Sequence, residues 1–251
     1  MTRIRTLLAP AIIAAMSLAM GAAAHAKEDA KDPHVAARVQ AAAMQPDSTK
    51  TKELQDAITP DMAIKKLQLG NGRFTGGKMV KRDYMKQVKT TSYGQYPVAS
   101  VVSCIDSRSA PELVFDAGIG DLFVARVAGN IVNEDILGSL EFASKVAGSK
   151  VIVVLGHTSC GAIKGACDDV KLGNLTALLS KMKPAVASVK ETGDRSSKNS
   201  AFVEKVAEMN VQDTVAAIKA KSPVLKEMAD KGEIKIVGAM LDVKTGKVLW
   251  Y

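Results

Sequence analysis

The chain has 251 residues, of which 34 are Lys or Arg and 26 are Asp or Glu, so its formal net charge is +8. Hydrophobic residues make up 47% of it, enough for a packed core, which excludes an intrinsically disordered protein. The lysines are scattered, without a dense basic block or interleaved aromatic residues, so a solvated surface is favoured over a nucleic-acid-binding patch.

The first 26 residues have the layout of a secretory signal peptide. Arg3 and Arg5 form a positive region, an apolar run of about 14 residues follows from Leu7, and Ala24-His25-Ala26 supplies an A-x-A cleavage site. As a helix this run would span only about 21 Å, short of a hydrocarbon core of roughly 30 Å. We therefore expect cleavage after Ala26 and a soluble periplasmic or secreted protein with no stable membrane anchor.

Residues 27–58 are polar and rich in alanine, and they predict an N-terminal arm with little core of its own. A helix is expected over residues 34–44 of this arm. A second helix should begin after Thr59, which is a favourable N-cap followed by a proline at the first helical position. Gly70 and Gly72 are predicted to end that helix.

From residue 98 onward, apolar runs alternate with segments of helical spacing. Strands are expected over residues 98–102, 122–127, 151–155 and 234–241, with a short edge strand over 248–251. Helices are expected over residues 134–146, from about residue 160, over 201–220 and 223–230, and along an apolar face formed by Leu172, Leu175, Leu178, Leu179 and Met182. This alternation favours a single α/β domain over residues 59–251, with a mainly parallel sheet flanked by helices.

Residues that can bind a metal ion closely follow two of the predicted strands. Cys104 and Asp106 follow the first strand, and His157 and Cys160 follow the third. Two thiolates, an imidazole and a carboxylate form a donor set that four-coordinate Zn²⁺ accepts. Because ligands collect at the carboxyl ends of strands in open α/β sheets, we expect these residues to hold one zinc ion.

The alternative for Cys104 and Cys160 is a structural disulfide, since an exported protein is in an oxidising compartment where disulfides persist. The neighbouring Asp106 and His157 favour the metal site. Cys167 lies seven residues after Cys160, about 10.5 Å along a helix, which is too far for a bridge within that helix. We interpret Cys167 as a small buried residue, or as a redox-sensitive thiol.

Arg108 gives Asp106 a second possible partner, because a guanidinium can bind a carboxylate through two hydrogen bonds. With Asp106 on zinc, the fourth ligand position would be closed. With Asp106 held by Arg108, that position would be open to water, which Asp106 could orient.

The combination of Cys104-x-Asp106-x-Arg108 with His157-x-x-Cys160 resembles the signature of the β-class carbonic anhydrases. The resemblance extends through residues 120–130, 155–162 and 242–248, and it covers the chain from about residue 59 to its end. It implies a parallel sheet of four strands with a fifth at its edge, assembled as a homodimer or tetramer. It also implies one Zn²⁺ per subunit and the reversible hydration of CO₂ to bicarbonate and a proton by zinc-bound hydroxide.

By this resemblance, Cys104, His157 and Cys160 are permanent zinc ligands, while Asp106 and Arg108 form a catalytic dyad. An alternative keeps the fold and the metal but changes the substrate to a CO₂-like molecule such as carbonyl sulfide or carbon disulfide. A further alternative is a non-catalytic, zinc-stabilised binding protein. The Asp106–Arg108 pair argues against it, since a purely structural site needs no switchable carboxylate.

Overall fold

A computed structural model describes residues 33–46 and 51–251 of the chain. The predicted signal peptide therefore lies outside the described residues. Within those residues, no helix combines the length and the apolar character needed to cross a membrane.

Among the described residues, five strands form the central sheet, in the order β2-β1-β3-β4-β5. Their bounds are Ala99–Ser103 for β1, Leu122–Arg126 for β2, Val151–His157 for β3, Lys235–Leu241 for β4 and Val248–Trp250 for β5. The first four strands pair in parallel, and β5 runs antiparallel to β4. This arrangement confirms the predicted parallel sheet with an edge strand.

The strands are connected by helices, as the alternating pattern predicts. Their bounds are α1 (Pro33–Met44), α2 (Lys52–Asp56), α3 (Pro60–Thr75), α4 (Tyr84–Thr91), α5 (Pro111–Val114), α6 (Glu134–Glu141), α7 (Gly161–Cys167), α8 (Gly173–Ser180), α9 (Lys183–Ser188), α10 (Ser200–Lys221) and α11 (Pro223–Asp230). The arm thus contains α1 as predicted, and also the short helix α2, which the sequence pattern does not predict.

Alternate residues of β3 belong to two hydrophobic cores, one on each face of the sheet. Ile152 and Val154 share a core with residues of α6, α7, α10 and α11. Val153 and Leu155 share the other core with residues of α1 and α3. Every residue of β1 and β3 is buried, as expected for strands that helices cover on both sides.

Helix α3 continues through the two glycines that were predicted to end it. The Thr59 hydroxyl accepts a hydrogen bond from the Met62 N–H at 3.2 Å, so the predicted N-cap is confirmed. A Cβ at Gly70 would lie 1.9 Å from the Phe115 carbonyl oxygen. The prediction of the C-terminus was wrong because Gly70 allows a close approach between segments instead of ending the helix.

Three other predictions also need correction. The helix predicted over residues 134–146 changes at Phe142 from α6 to a π-helical turn over Phe142–Val146. Leu172, predicted to lie on an apolar core face, precedes α8 and is 67% exposed, whereas Leu179 and Met182 are buried as expected. Cys167 is partly rather than fully buried.

Candidate metal centre

Strands β1 and β3 bring the two predicted ligand segments together. They are neighbours in the sheet, and Ser103 pairs with Leu155 in the parallel ladder. Cys104 follows Ser103 directly, and His157 stands two residues beyond Leu155. The residues between His157 and α7 form a tight turn in which Ser159 adopts a left-handed backbone conformation with φ of 55°. Both segments therefore end at the same edge of the sheet.

Cys104, His157 and Cys160 form a compact, buried cluster in which one possible ligand atom from each residue lies within 4.8 Å of the others. The Nδ1 of His157 is 2.9 Å from the Thr158 carbonyl oxygen, which fixes Nδ1 as the protonated nitrogen. The buried Nε2 has no hydrogen-bond partner in the described part of the chain. Its lone pair is thus available to a metal ion.

The two cluster cysteines share a hydrogen bond. Donation from Cys160 lowers the pKa of Cys104, although burial acts in the opposite direction. The same bond, together with burial, raises the pKa of the Cys160 thiol. The Gly129 N–H also lies 3.5 Å from the Cys104 sulfur and donates to it. These hydrogen bonds favour the thiolate form of Cys104, and two sulfur donors with one imidazole match the ligand set of zinc.

Asp106 lies beside the cluster and is held by Arg108. The Arg108 Nε donates to Oδ1 at 2.9 Å and Nη2 donates to Oδ2 at 2.7 Å, while the Arg108 backbone N–H also reaches Oδ1 at 2.9 Å. These hydrogen bonds hold the pKa of Asp106 well below its usual range. Asp106 Oδ2 is 3.9 Å from the Nε2 of His157. The structure thus has the arginine-paired arrangement, and contact between Asp106 and the metal stays a prediction.

Arg126 supports this loop and was not predicted from the sequence. Its Nε donates to the Cys104 carbonyl oxygen at 2.9 Å, and its Nη2 donates to the Asp106 carbonyl oxygen at 2.6 Å. Arg126 is the last residue of β2 and pairs with Ser103 of β1. Its position at the end of a strand beside the ligand strand is the signal that could have identified it.

All three cysteines are free, so the disulfide alternative for Cys104 and Cys160 is not realised in the structure. Cys167 lies outside the ligand cluster. Burial raises the pKa of its thiol, which makes the thiolate form less accessible. This gives no support to a redox-sensitive role for Cys167.

The chain is similar to several known proteins. Residues 99–248 match a family model described as carbonic anhydrase. Carbonic anhydrase 2 of Mycobacterium tuberculosis is 33% identical over 196 residues, which cover 76% of this chain and 92% of that protein. A carbonic anhydrase of Mycolicibacterium smegmatis is 32% identical over 195 residues, which cover 75% and 92%. The crystal structure of an Aspergillus fumigatus β-carbonic anhydrase has a TM-score of 0.58 and 25% identity, and covers 73% of this chain and 88% of that one.

Proposed function

This chain belongs to the β-class carbonic anhydrases, zinc enzymes that reversibly hydrate CO₂ to bicarbonate and a proton, and we propose that Cys104, His157 and Cys160 hold its zinc ion. The observation that carries the proposal is the buried cluster of two sulfur atoms and the unpartnered Nε2 of His157. Zinc, when bound, supplies the Lewis-acid chemistry that turns water into a nucleophile.

Asp106 is the residue placed to orient the reacting water. Its Oδ2 lies 3.9 Å from His157 Nε2, which puts a hydrogen-bond acceptor next to the ligand cluster. Arg108 keeps Asp106 ionised by lowering its pKa, so the carboxylate accepts hydrogen bonds across the physiological pH range. Asp106 would thus accept a hydrogen bond from the reacting water and hold its O–H in a fixed direction, so that a lone pair of the oxygen faces CO₂, while the proton released in forming bicarbonate passes to solvent.

The pairing of Asp106 with Arg108 also supports the proposed switch. The Arg108 side chain is 52% exposed, so its guanidinium can be solvated when it leaves the carboxylate. Asp106 would then be free to turn towards the ligand cluster and close the fourth position. The open arrangement is the one that admits substrate.

A second proposal concerns assembly, which we infer to be a homodimer or tetramer. Strand β2 lies at one edge of the sheet, and Phe142, whose ring packs edge-on against Phe123 of β2, is 49% exposed. Among the described residues this edge of β2 is unpaired, and an unpaired strand edge beside an exposed aromatic ring favours contact with a second copy. A structure that shares the fold, with a TM-score of 0.58, belongs to a pair of Sordaria macrospora β-carbonic anhydrases that are described as tetrameric. Light scattering that finds a monomer at micromolar concentration would contradict this inference.

The third proposal is export. Residues 1–26 carry the charged, apolar and A-x-A regions of a signal peptide, which supports a periplasmic location. N-terminal sequencing of the protein from a bacterial periplasm should begin at Lys27. Retention of full-length protein in the cytoplasm would contradict the proposal.

Stopped-flow CO₂ hydration by the zinc-loaded protein, expressed from residue 27, tests the metal assignment. Cys160→Ser should lose zinc and activity, whereas the matched Cys167→Ser should keep both, because Cys167 lies outside the cluster. Absence of zinc-dependent hydration in the parent protein would reject the function. A parallel assay with carbonyl sulfide determines whether a CO₂-like molecule is the better substrate.

A further inference from the structure

Helix α10 reaches the His157–Cys160 segment directly and the Cys104 segment through Gly129, by polar side chains that the sequence pattern does not single out. The Ser159 N–H donates to Glu204 Oε1 at 2.9 Å, and Asn210 Nδ2 donates to the Gly129 carbonyl oxygen at 2.8 Å. We propose that Glu204 and Asn210 are positioning residues that hold the zinc ligands in their binding geometry before the metal arrives. This inference rests on the zinc site of the proposed function.

Glu204 acts on the segment that contains His157 and Cys160. Ser159 lies between these two ligands and has a φ of 55°, a left-handed conformation that is unfavourable for a residue with a side chain. Its N–H is satisfied by Glu204 Oε1, so the carboxyl group stabilises the strained turn. The other oxygen, Oε2, is buried and has no hydrogen-bond partner among the described residues. Among the described residues, the Ser159 N–H is thus the hydrogen-bond donor that this carboxyl group contacts.

Asn210 acts on the Cys104 side of the cluster through Gly129. The N–H of Gly129 donates to the Cys104 sulfur, and its carbonyl oxygen accepts from Asn210, which is only 3% exposed. Gly129 has a φ of 75°, and a Cβ there would lie 2.4 Å from the Met182 sulfur. The position therefore favours glycine, and the hydrogen bond from Asn210 to its carbonyl oxygen helps to orient the N–H that points at Cys104.

Close packing fixes α10 relative to the sheet. Val211 lies against two glycines, since a Cβ at Gly156 would be 2.5 Å from one of its methyl groups and a Cβ at Gly238 would be 2.8 Å from the other. Gly156 directly precedes His157 at the end of β3. Helix α10 therefore packs directly against the strand that carries His157. From this fixed position, Glu204 contacts Ser159 and Asn210 contacts Gly129.

Removing a group that orients metal ligands through hydrogen bonds typically lowers metal affinity by about 10- to 100-fold. We expect Glu204→Ala and Asn210→Ala to release Zn²⁺ at least about 10-fold faster to a competing chelator than the parent protein. Glu204→Gln keeps an oxygen acceptor for the Ser159 N–H and should behave like the parent. Glu208→Ala is the matched control, because Glu208 is exposed on the same helix one turn further on.

The visible absorption of the Co²⁺-substituted proteins gives a readout independent of activity, because it reports the arrangement of the ligands around the ion. It should change in Glu204→Ala and Asn210→Ala and stay unchanged in Glu204→Gln and Glu208→Ala. Urea unfolding of the zinc-free proteins separates a local effect from a loss of folding. If Asn210→Ala fails to fold, Glu204→Ala still tests the positioning role, because Glu204 is partly exposed.

Parent-like zinc release and absorption in Glu204→Ala would overturn the inference, as would equal effects of Glu204→Ala and Glu208→Ala. A parent protein that binds zinc tightly but does not hydrate CO₂ would reject the proposed function alone, and the positioning role would still be decided by zinc release. A parent protein that binds no zinc would reject both.

Discussion

Asp106 and Asp116 are two arginine-paired carboxylates ten residues apart, and they differ in how their partners are supplied. Asp106 is held by Arg108, a neighbour in sequence whose side chain is 52% exposed. Asp116 has a fully buried side chain and is held by Arg82 and Arg73, which come from a distant part of the chain. The first pair can open without disturbing the fold, whereas the second joins separate segments and cannot.

The surroundings of Asp116 show why its pair is structural. Arg82 contacts both the carboxylate and the backbone carbonyl oxygen of Asp116, and its side chain is only 1% exposed. The Val80 N–H lies 3.3 Å from each carboxylate oxygen. Asp116 itself has a φ of 46°, so these contacts also stabilise a strained backbone. The number and burial of its partners thus distinguish the structural carboxylate of Asp116 from Asp106, for which we propose a catalytic role.

The largest effect is expected from Asp116→Ala. Removing one partner of a buried ion pair leaves Arg82 uncompensated, which should lower the free energy of unfolding by about 3–5 kcal/mol. Urea denaturation measures this change. CO₂ hydration per folded molecule should stay near the parent rate. A decrease in the free energy of unfolding of less than about 1 kcal/mol would contradict the structural role of Asp116.

Asp106→Ala should give the opposite result. We expect the CO₂ hydration rate to fall by about 10²- to 10³-fold, because a group that orients the reacting water is removed. The free energy of unfolding should change by less than about 1 kcal/mol, since the partner arginine is exposed. Stopped-flow assays and urea denaturation of the same preparation test both points. A destabilisation as large as that of Asp116→Ala would remove the distinction between the two carboxylates.

Arg108→Lys should have a smaller effect. An ammonium group cannot reproduce the two parallel hydrogen bonds that Arg108 makes to Asp106, so we expect the hydration rate to fall by about 10-fold. Stability should be unchanged within about 1 kcal/mol. The assay is stopped-flow hydration with matched zinc content. Full parent activity in Arg108→Lys would mean that positive charge alone, and not the pair of parallel hydrogen bonds, holds the Asp106 carboxylate.

The smallest effect concerns acid stability. Burial alone would raise the pKa of Asp116, but hydrogen bonds from Arg82 and Arg73 lower it overall. Its stabilising contribution is therefore complete above the unfolded pKa, near 3.9, and is lost as the pH falls through the lower folded pKa. Urea midpoints of the parent protein and Asp116→Asn should converge below about pH 4. A difference that stays constant from pH 6 to pH 3 would contradict this assignment.

The contiguous features of the site could be predicted from the sequence. Cys104, Asp106 and Arg108 occupy one short segment after an apolar run, and His157 and Cys160 occupy another, so their meeting follows from the parallel sheet. Arg126, Glu204 and Asn210 act through contacts between segments far apart in the chain, which depend on how α10 and β2 dock. Gly70 was misjudged for the same reason, because the nearby Phe115 backbone that requires it is not visible in local sequence.

The parallel ladder between β1 and β3 determines where this enzyme could accept changes in length. One residue inserted into β1 would move Cys104 by about 3.3 Å, more than the roughly 2.3 Å of a zinc–sulfur bond. Residues added to the exposed turns between β1 and β3, outside the Cys104–Arg108 segment, would leave the pairing of Ser103 with Leu155 intact. For protein engineering, the tolerance of this metal centre to insertions is thus set by hydrogen-bond register and not by the length of chain that separates its ligands.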